Sequence, residues 1–345
     1  MKKDVLNKSL FFSMMWDFTH QYLPTQHTGS EKTVEAYTDA LTIFRRYVTD
    51  EKKISIAKFG FDECTYDFVL DYRDFLIGQN YAAATVNQRI AALKAYMRYA
   101  ALRDVTLQQI YLNMRSAVGV DQPRKIPPII EEDEALTDLF DAPGPSRLGI
   151  RDRTILVVLF DTAIRCDELV SLKKGDVVLR PDSPYLKILG KGTVERKAPL
   201  HENTVEVIKQ YMGLFHKDTS PDTPFIYTVI KGQVGHMSER NVQRLVKKYA
   251  DLVREKHPEL PHLHPHIFRR TRATKSYRDG TPIDVIAELL GHAHVDTTRR
   301  SYAFSSPDMI RKKTSDVKTV ADDKEASKKL WEGKEEELAA MCGLR

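Results

Sequence analysis

Apolar residues recur at three- and four-residue steps through most of the chain, the spacing that lines side chains along one face of a helix. In residues 30–48, SEKTVEAYTDALTIFRRYV, the positions Val34, Tyr37, Leu41, Phe44 and Val48 share a face and Ser30 stands where an N-cap is needed, which predicts an amphipathic helix. A second is predicted in TYDFVLDYRDFLIGQ, with Thr65 as N-cap and Phe68, Val69, Tyr72, Phe75 and Leu76 inward. A third follows in AATVNQRIAALKAYMRYAAL through Val86, Ile90, Leu93 and Met97. Residues 1–115 therefore read as a small helical bundle.

The period breaks in SAVGVDQPRKIPPIIEEDEA, where Gly119, Pro123, Pro127 and Pro128 keep the backbone out of helix, so residues 116–130 are expected to form a linker. A second domain, 131–315, opens with helical patterns near 131–140 and 150–162 and a polar helix entry at CDELVSLKKGDV. PYLKILGKGTVERKAPL then holds two short strand-like runs around a Gly-Lys-Gly turn, a hairpin. From 203 onward the pattern returns to helices. In the tail, 316–345, Leu330, Trp331, Leu338 and Met341 fall near one helical face; a partly ordered terminus and a helix that docks on a neighbouring copy are both open. The fold class expected is mainly α with a small β-sheet, in two domains.

Composition narrows the setting. Hydrophobic residues at 42% and charged residues at 29% describe a folded globular chain, not a fibrous or disordered one. The run ILVVLF at 155–160 is too short to cross a bilayer, and Asp4 interrupts any basic leader, so no membrane partner and a cytoplasmic location are expected. Cys64, Cys166 and Cys342 are too scattered for a disulfide framework or a zinc site and read as ordinary thiols. The net charge is +5, and because the tail carries six basic and eight acidic residues, the body holds +7, which suits a polyanionic partner.

Four separated segments carry candidate chemistry. DTAIRCDELVSL places Arg165 three residues before Glu168, so on a helix the two share a face; taken alone this is a surface ion pair. Lys191 sits between Gly190 and Gly192 at the hairpin tip, in isolation a solvated turn lysine. HPHIFRRTRAT sets His266 and Arg269 at i and i+3 with Ile267 and Phe268 toward the core. In LLGHAHVDTTRRSYAF, Gly291 ends one helix, His292 follows at once, and Tyr302 lies ten residues later in a new helix or turn, where a tyrosine could simply pack. Together, two arginines, a lysine and two histidines around one phenol make a donor-rich cationic pocket of the kind a phosphodiester requires. No Asp/Glu cluster suited to Mg²⁺ is evident, so phosphate charge would be met by the protein's own cations.

At these residues the chain resembles the tyrosine recombinase, or phage integrase, family over roughly residues 30–305. TAIRCDEL is similar to the family's T-G-L-R-x-x-E-L segment, placing Arg165; the hairpin matches at Lys191; HIFRR matches H-x-L-R-H at His266 and Arg269; LLGH matches at His292 and T-x-x-Y at Tyr302. Ala163 stands where the family has glycine, Phe268 where it has leucine, and Arg270 where a histidine is common, which adds a positive charge able to contact DNA or pair with Glu168. The resemblance implies a helical core-binding, SAM-like domain followed by an α+β catalytic domain. It implies that Tyr302 is the nucleophile in a 3′-phosphotyrosyl exchange, with Arg165, Lys191, His266, Arg269 and His292 catalytic and Glu168 in support. It also implies no metal or other cofactor, double-stranded DNA with specific recombination sites as partner, and a homotetramer on that DNA. A transposase of the same chemistry, a type IB topoisomerase-like enzyme that reseals what it cuts, and a DNA-binding relative without catalysis are the alternatives.

Overall fold

The computed structural model describes residues 10–27, 31–121, 127–190, 195–292, 294–302 and 333–343. They fall into two compact units, one within Met1–Lys125 and the other within Ile126–Arg345. Ser30, Pro123, Lys191, Leu330 and Trp331, to which the sequence assigns roles, lie outside the described residues.

In the first unit a helical run over Phe11–His27 precedes α1 (Glu31–Arg46), α2 (Tyr66–Gly78), α3 (Ala83–Arg103) and α4 (Gln108–Arg115). Thr65 caps α2 as expected, its Oγ1 accepting from Phe68 N at 3.2 Å. The apolar stripe predicted for α3 is buried at Val86, Ile90, Leu93 and Met97. Large aromatic side chains stand among the aliphatic residues between the helices: Phe11, Phe44, Phe59, Phe61, Tyr72 and Tyr96 are all at most 1% exposed. Edge-on contacts join Phe44 to Tyr72 and Phe11 to Tyr96, the geometry that aligns ring edge with ring face. Asn87 on α3 ties down the chain that follows α4, accepting from Val120 N at 2.7 Å and donating to Val120 O at 2.9 Å.

The second unit contains α5 (Asp133–Asp141), α6 (Arg147–Asp161), α7 (Cys166–Ser171), β1 (Val177–Val178), β2 (Tyr185–Leu189), β3 (Glu195–Pro199) and α8 (Glu202–Phe215). It continues through β4 (Tyr227–Ile230), β5 (Gln233–His236), α9 (Glu239–Val253), α10 (Pro265–Arg278), α11 (Ile283–Leu290), α12 (Val295–Tyr302) and α13 (Glu335–Met341). Ser146 caps α6 through Gly149 N, and that helix sends Ile155, Leu156, Val158 and Leu159 into the core. The strands at 185–199 form the expected hairpin, antiparallel with Ile188 opposite Arg196, and β1 adds an edge. Leu186, Ile188 and Ala198 turn inward from it. Helix α10 packs against α6, α9, α11 and α12, with Ile267 and Phe268 buried as predicted. Phenylalanine at 268 is thus accommodated in apolar surroundings.

Two expectations are corrected. Residues 227–236, read as part of a helical stretch, are a second hairpin of β4 and β5, turned by Lys231 and Gly232 at φ 51° and 79°. Paired positive φ values make a turn whose twist matches that of the strands, and a lysine in the first position hides this signal. Arg165 is not inside a helix beside Glu168 but is the N-cap of α7, at φ −72° and ψ 155°. The carboxylate of Glu168 reaches back to accept from its backbone N–H at 2.9 Å, satisfying a helix-start donor.

Candidate active site

The site lies within the second unit and is built around a buried guanidinium. Arg269, on the first turns of α10, is 1% exposed. Its Nη1 donates to Ala163 O at 2.6 Å, and its Nη2 donates to Leu290 O at 2.5 Å and to His292 Nε2 at 3.1 Å. Three segments distant in sequence are thereby held at one point: the turn after α6, the end of α11 and the histidine beyond it. The Ala163 carbonyl faces Arg269 because this residue takes φ 50°, the left-handed region that suits glycine, so the alanine adopts the backbone at a cost.

Gly291 ends α11 at φ 62°, which turns the chain so that His292 points back toward Arg269. An arginine can only donate, so His292 Nε2 accepts and its Nδ1–H donates to Thr298 Oγ1, 2.8 Å away on the buried side of α12. Loss of water around the ring, then the charges of Arg269, Arg165, His266 and Arg196, push His292 down to about 4. It is neutral at pH 7, as an acceptor of that bond must be.

His266 stands near the start of α10, stacked parallel to His264 with ring centres 6.4 Å apart. Loss of solvent around part of its ring, followed by Arg270, Arg269, His264 and Arg165, lowers it to about 4, so it too is a neutral imidazole at pH 7 although one edge meets solvent. Arg165 is 35% exposed and borders two openings. One, of about 850 Å³, is lined also by Arg196, Lys197, Gly291 and His292. The other, of about 480 Å³, is lined also by Cys166, His264 and His266.

Glu168 is 5% exposed in its side chain, and burial works to raise its pKa. Bonds from Arg196, from the backbone N–H of Arg165 and from the two guanidinium charges outweigh that and hold it at about 2. Both of its oxygens are taken by Arg165, the ion-pair partner the sequence spacing suggests, and by Arg196, which the sequence does not single out. Arg270 follows Arg269 on α10, half-buried, and its charge contributes to lowering His266.

Arg165, His266, Arg269 and His292 are therefore brought together, with Glu168 behind Arg165. Lys191 lies outside the described residues; the described ends of its hairpin, Gly190 and Glu195, border the larger opening. Tyr302 is placed by its backbone as the last residue of α12, a helix that begins three residues after His292 and packs against α10 and α11. Sequence reasoning passed over Arg196 and Thr298. Strand alternation could have exposed the first, because Arg196 shares its face of β3 with the buried Ala198. Nothing local marks Thr298, whose role depends on where the turn at Gly291 sends His292.

Among the described residues, Glu132, His257 and Glu259 bring three metal-type ligand atoms within 4.8 Å of one another. His257 Nε2 is 2.7 Å from Asp138, whose carboxylate raises the imidazole above its ordinary value. None of these residues belongs to the arginine site. No helix among the described residues is long and apolar enough to cross a membrane.

Comparison with known proteins follows the same two-part division. The phage integrase family model matches residues 129–308 and the phage integrase SAM-like domain model matches residues 10–116. Tyrosine recombinase XerC of Staphylococcus carnosus (strain TM300) is 29% identical over 292 residues, 84% of this chain and 92% of that protein. Among solved structures, the Tn1549 transposon integrase in complex with transposon right end DNA superposes with a TM-score of 0.65 at 14% identity, covering 87% of this chain and 98% of that one. A lambda integrase tetramer bound to a Holliday junction gives 0.58 at 17% identity, covering 84% and 78%. At these identities the two structures establish likeness of fold.

Proposed function

The chain belongs to the phage integrase family and is a tyrosine-type site-specific DNA recombinase, and from that premise we propose that it exchanges strands through a 3′-phosphotyrosyl intermediate formed by Tyr302. The observation that carries the proposal is that Arg165 borders two openings, one lined also by His292 and the other by His266, with Arg269 buried behind them and bonded to His292, and with the helix ending in Tyr302 packed against the helix of Arg269.

The phenolic oxygen attacks the scissile phosphorus, the bond from phosphorus to the 5′-oxygen breaks, and a free 5′-hydroxyl leaves. That hydroxyl then attacks the phosphotyrosyl linkage formed on the partner duplex and displaces its tyrosine, while the partner's 5′-hydroxyl does the same here, so one phosphodiester is traded for another and no external energy source is consumed. A phenol with an ordinary pKa of about 10 must lose its proton in the attack, and His266, neutral at pH 7, is the group assigned to receive it. Lys191 is assigned to protonate the leaving 5′-oxygen. Arg165 and Arg269 hold the non-bridging oxygens, supplying positive charge where negative charge grows. His292, with both nitrogens engaged within the protein, keeps Arg269 in aim.

Exchange between two duplexes needs four cuts, hence four protomers on two sites, and the tail from 316 onward is proposed to join them. Its helix α13 presents Leu338 and Met341 at 38% and 76% exposure. A nicked suicide substrate tests the chemistry: the protein is expected to become covalently attached to DNA, and Tyr302→Phe to remain unattached. An adduct that persists in Tyr302→Phe overturns the assignment. In the same assay run on a native gel, a chain lacking 316–345 should still form the single-site adduct but not the four-protomer complex. An undiminished complex rejects the tail. Joining of two separate DNA molecules distinguishes this reaction from cutting and resealing of one.

A further inference from the structure

We propose that Arg196 is a positioning residue for this site: by clamping Glu168 it leaves the guanidinium of Arg165 available to phosphate, and its side chain seats the turn that carries His292. The inference rests on the recombinase reading for its chemistry, but not for its geometry.

A carboxylate offers roughly four lone-pair positions. Those of Glu168 are divided evenly. Oε1 accepts from Arg165 Nη1 at 2.8 Å and from Arg196 Nη1 at 2.8 Å, while Oε2 accepts from Arg165 N at 2.9 Å and from Arg196 Nη2 at 2.7 Å. Arg196 thus grips both oxygens with the parallel fork that only a guanidinium provides. Arg165 contributes a single side-chain bond, and the rest of its guanidinium borders the openings. The burial sequence agrees: Glu168 is 5% exposed, Arg196 11% and Arg165 35%, so the cation nearer the interior serves the carboxylate and the outer one faces the cavity.

Charge explains why two arginines are needed. Glu168 satisfies the backbone at the start of α7, but a buried carboxylate beside a phosphate site would repel the substrate or consume the charge of Arg165. With Arg196 the trio carries one net positive charge. Without it, two acceptor positions open and Arg165 is the adjacent cation able to fill them, which would turn its guanidinium away from the cavity and neutralise it.

The second contact fixes the turn. A Cβ built on Gly291 would lie 2.9 Å from Arg196 Cδ and 3.1 Å from its Nη1, so the Arg196 side chain fills the space directly under the residue that precedes His292. One side chain from β3 therefore braces both the segment of Arg165 and the segment of His292.

The test compares Arg196→Met, Arg196→Lys, Glu168→Gln and the double variant Arg196→Met/Glu168→Gln in single-turnover adduct formation on the nicked substrate, with DNA affinity and thermal unfolding measured alongside. Arg196→Met is expected to slow the adduct by about 100-fold with DNA affinity nearly unchanged, and Arg196→Lys, which keeps the charge and loses the fork, by about 10-fold. The discriminating result is the double variant: removing the orphaned carboxylate frees Arg165, so it should react faster than Arg196→Met by about 10-fold. Parental rates in Arg196→Met, or a double variant no faster than that single one, overturn the proposal. A crystal structure of Arg196→Met, or of Arg196→Lys should the first not fold, supplies a readout without reaction. Arg165 should be drawn onto both oxygens of Glu168, and an unmoved Arg165 refutes the inference. If the parental protein forms no adduct, the recombinase reading falls while the crystal structure still decides the positioning claim.

Discussion

The two units are held together by different means. The first is distinguished by aromatic packing: nine Phe and Tyr side chains pack among the aliphatic residues of its core, and among the described residues Thr19 is the single buried side chain there that is polar or charged apart from the tyrosines. The second has an aliphatic core that encloses Asp152, Asp161, Glu168, His216, His257 and Arg269. Burying such groups costs free energy unless each is bonded, and the bonds that satisfy Arg269 and Glu168 are the ones that aim the site. Sequence that serves packing and sequence that serves chemistry are therefore separable in the first unit's core and superimposed in the second's.

The sharpest way to break that contrast is a pair of truncations. Phe44→Ala, deep among the rings, should destabilise the first unit by about 3–5 kcal/mol, read by chemical denaturation. Arg165→Ala should leave the melting point of the second unit within a few degrees yet slow adduct formation by about 10²–10³-fold, with DNA affinity held. A collapse of stability in Arg165→Ala, or a parental rate, would dissolve the distinction.

Acid sharpens it next. His266 and His292 are held neutral by folding, from 6.5 down to about 4, so the unfolded chain takes up protons first. Their contribution is full above pH 6.5 and is lost as the pH falls toward 4. Glu168 is held ionised, from 4.5 down to about 2, so its contribution is lost as the pH falls from 4.5 through 2. His257 works in the opposite sense: raised by Asp138, it stabilises most below its ordinary 6.5 and ceases to as pH climbs through its folded value. Hydrogen exchange between pH 6.5 and 4 is expected to show α10 losing protection before α3. Simultaneous loss would mean that the charged cluster does not govern the second unit's acid stability.

The smallest effect concerns a single backbone angle. Ala163→Gly should stabilise the second unit by about 1 kcal/mol by removing a Cβ from φ 50°, offset in part by the added freedom of the unfolded chain. A thermal melt showing destabilisation would imply that the Ala163 methyl, buried against Ala273, Ile286 and Leu290, is worth more than the strain.

Much of this protein could be read along the chain because its signals are local and periodic. The stripe of α3, the cap at Thr65, the Gly291 terminus and the first hairpin each depend on neighbours within a few residues, and each is found where expected. The order and spacing of Arg165, His266, Arg269 and His292 were equally visible. The second hairpin was not, since a lysine occupies a position where asparagine or glycine would have signalled it.

Which donor meets which acceptor was settled elsewhere. That Arg165 caps a helix instead of riding on it, that Arg196 joins it in holding Glu168, and that Arg269 sets the tautomer of His292 all depend on contacts across 3 to 28 residues of chain, made only once α10, α11, β3 and the turn after α6 are packed. Periodicity and spacing determined the elements and the identity of the reactive groups, because helix and strand geometry repeats within the chain. Protonation, aim and charge balance followed from tertiary structure, because a pKa and a hydrogen bond are properties of surroundings that no single segment carries.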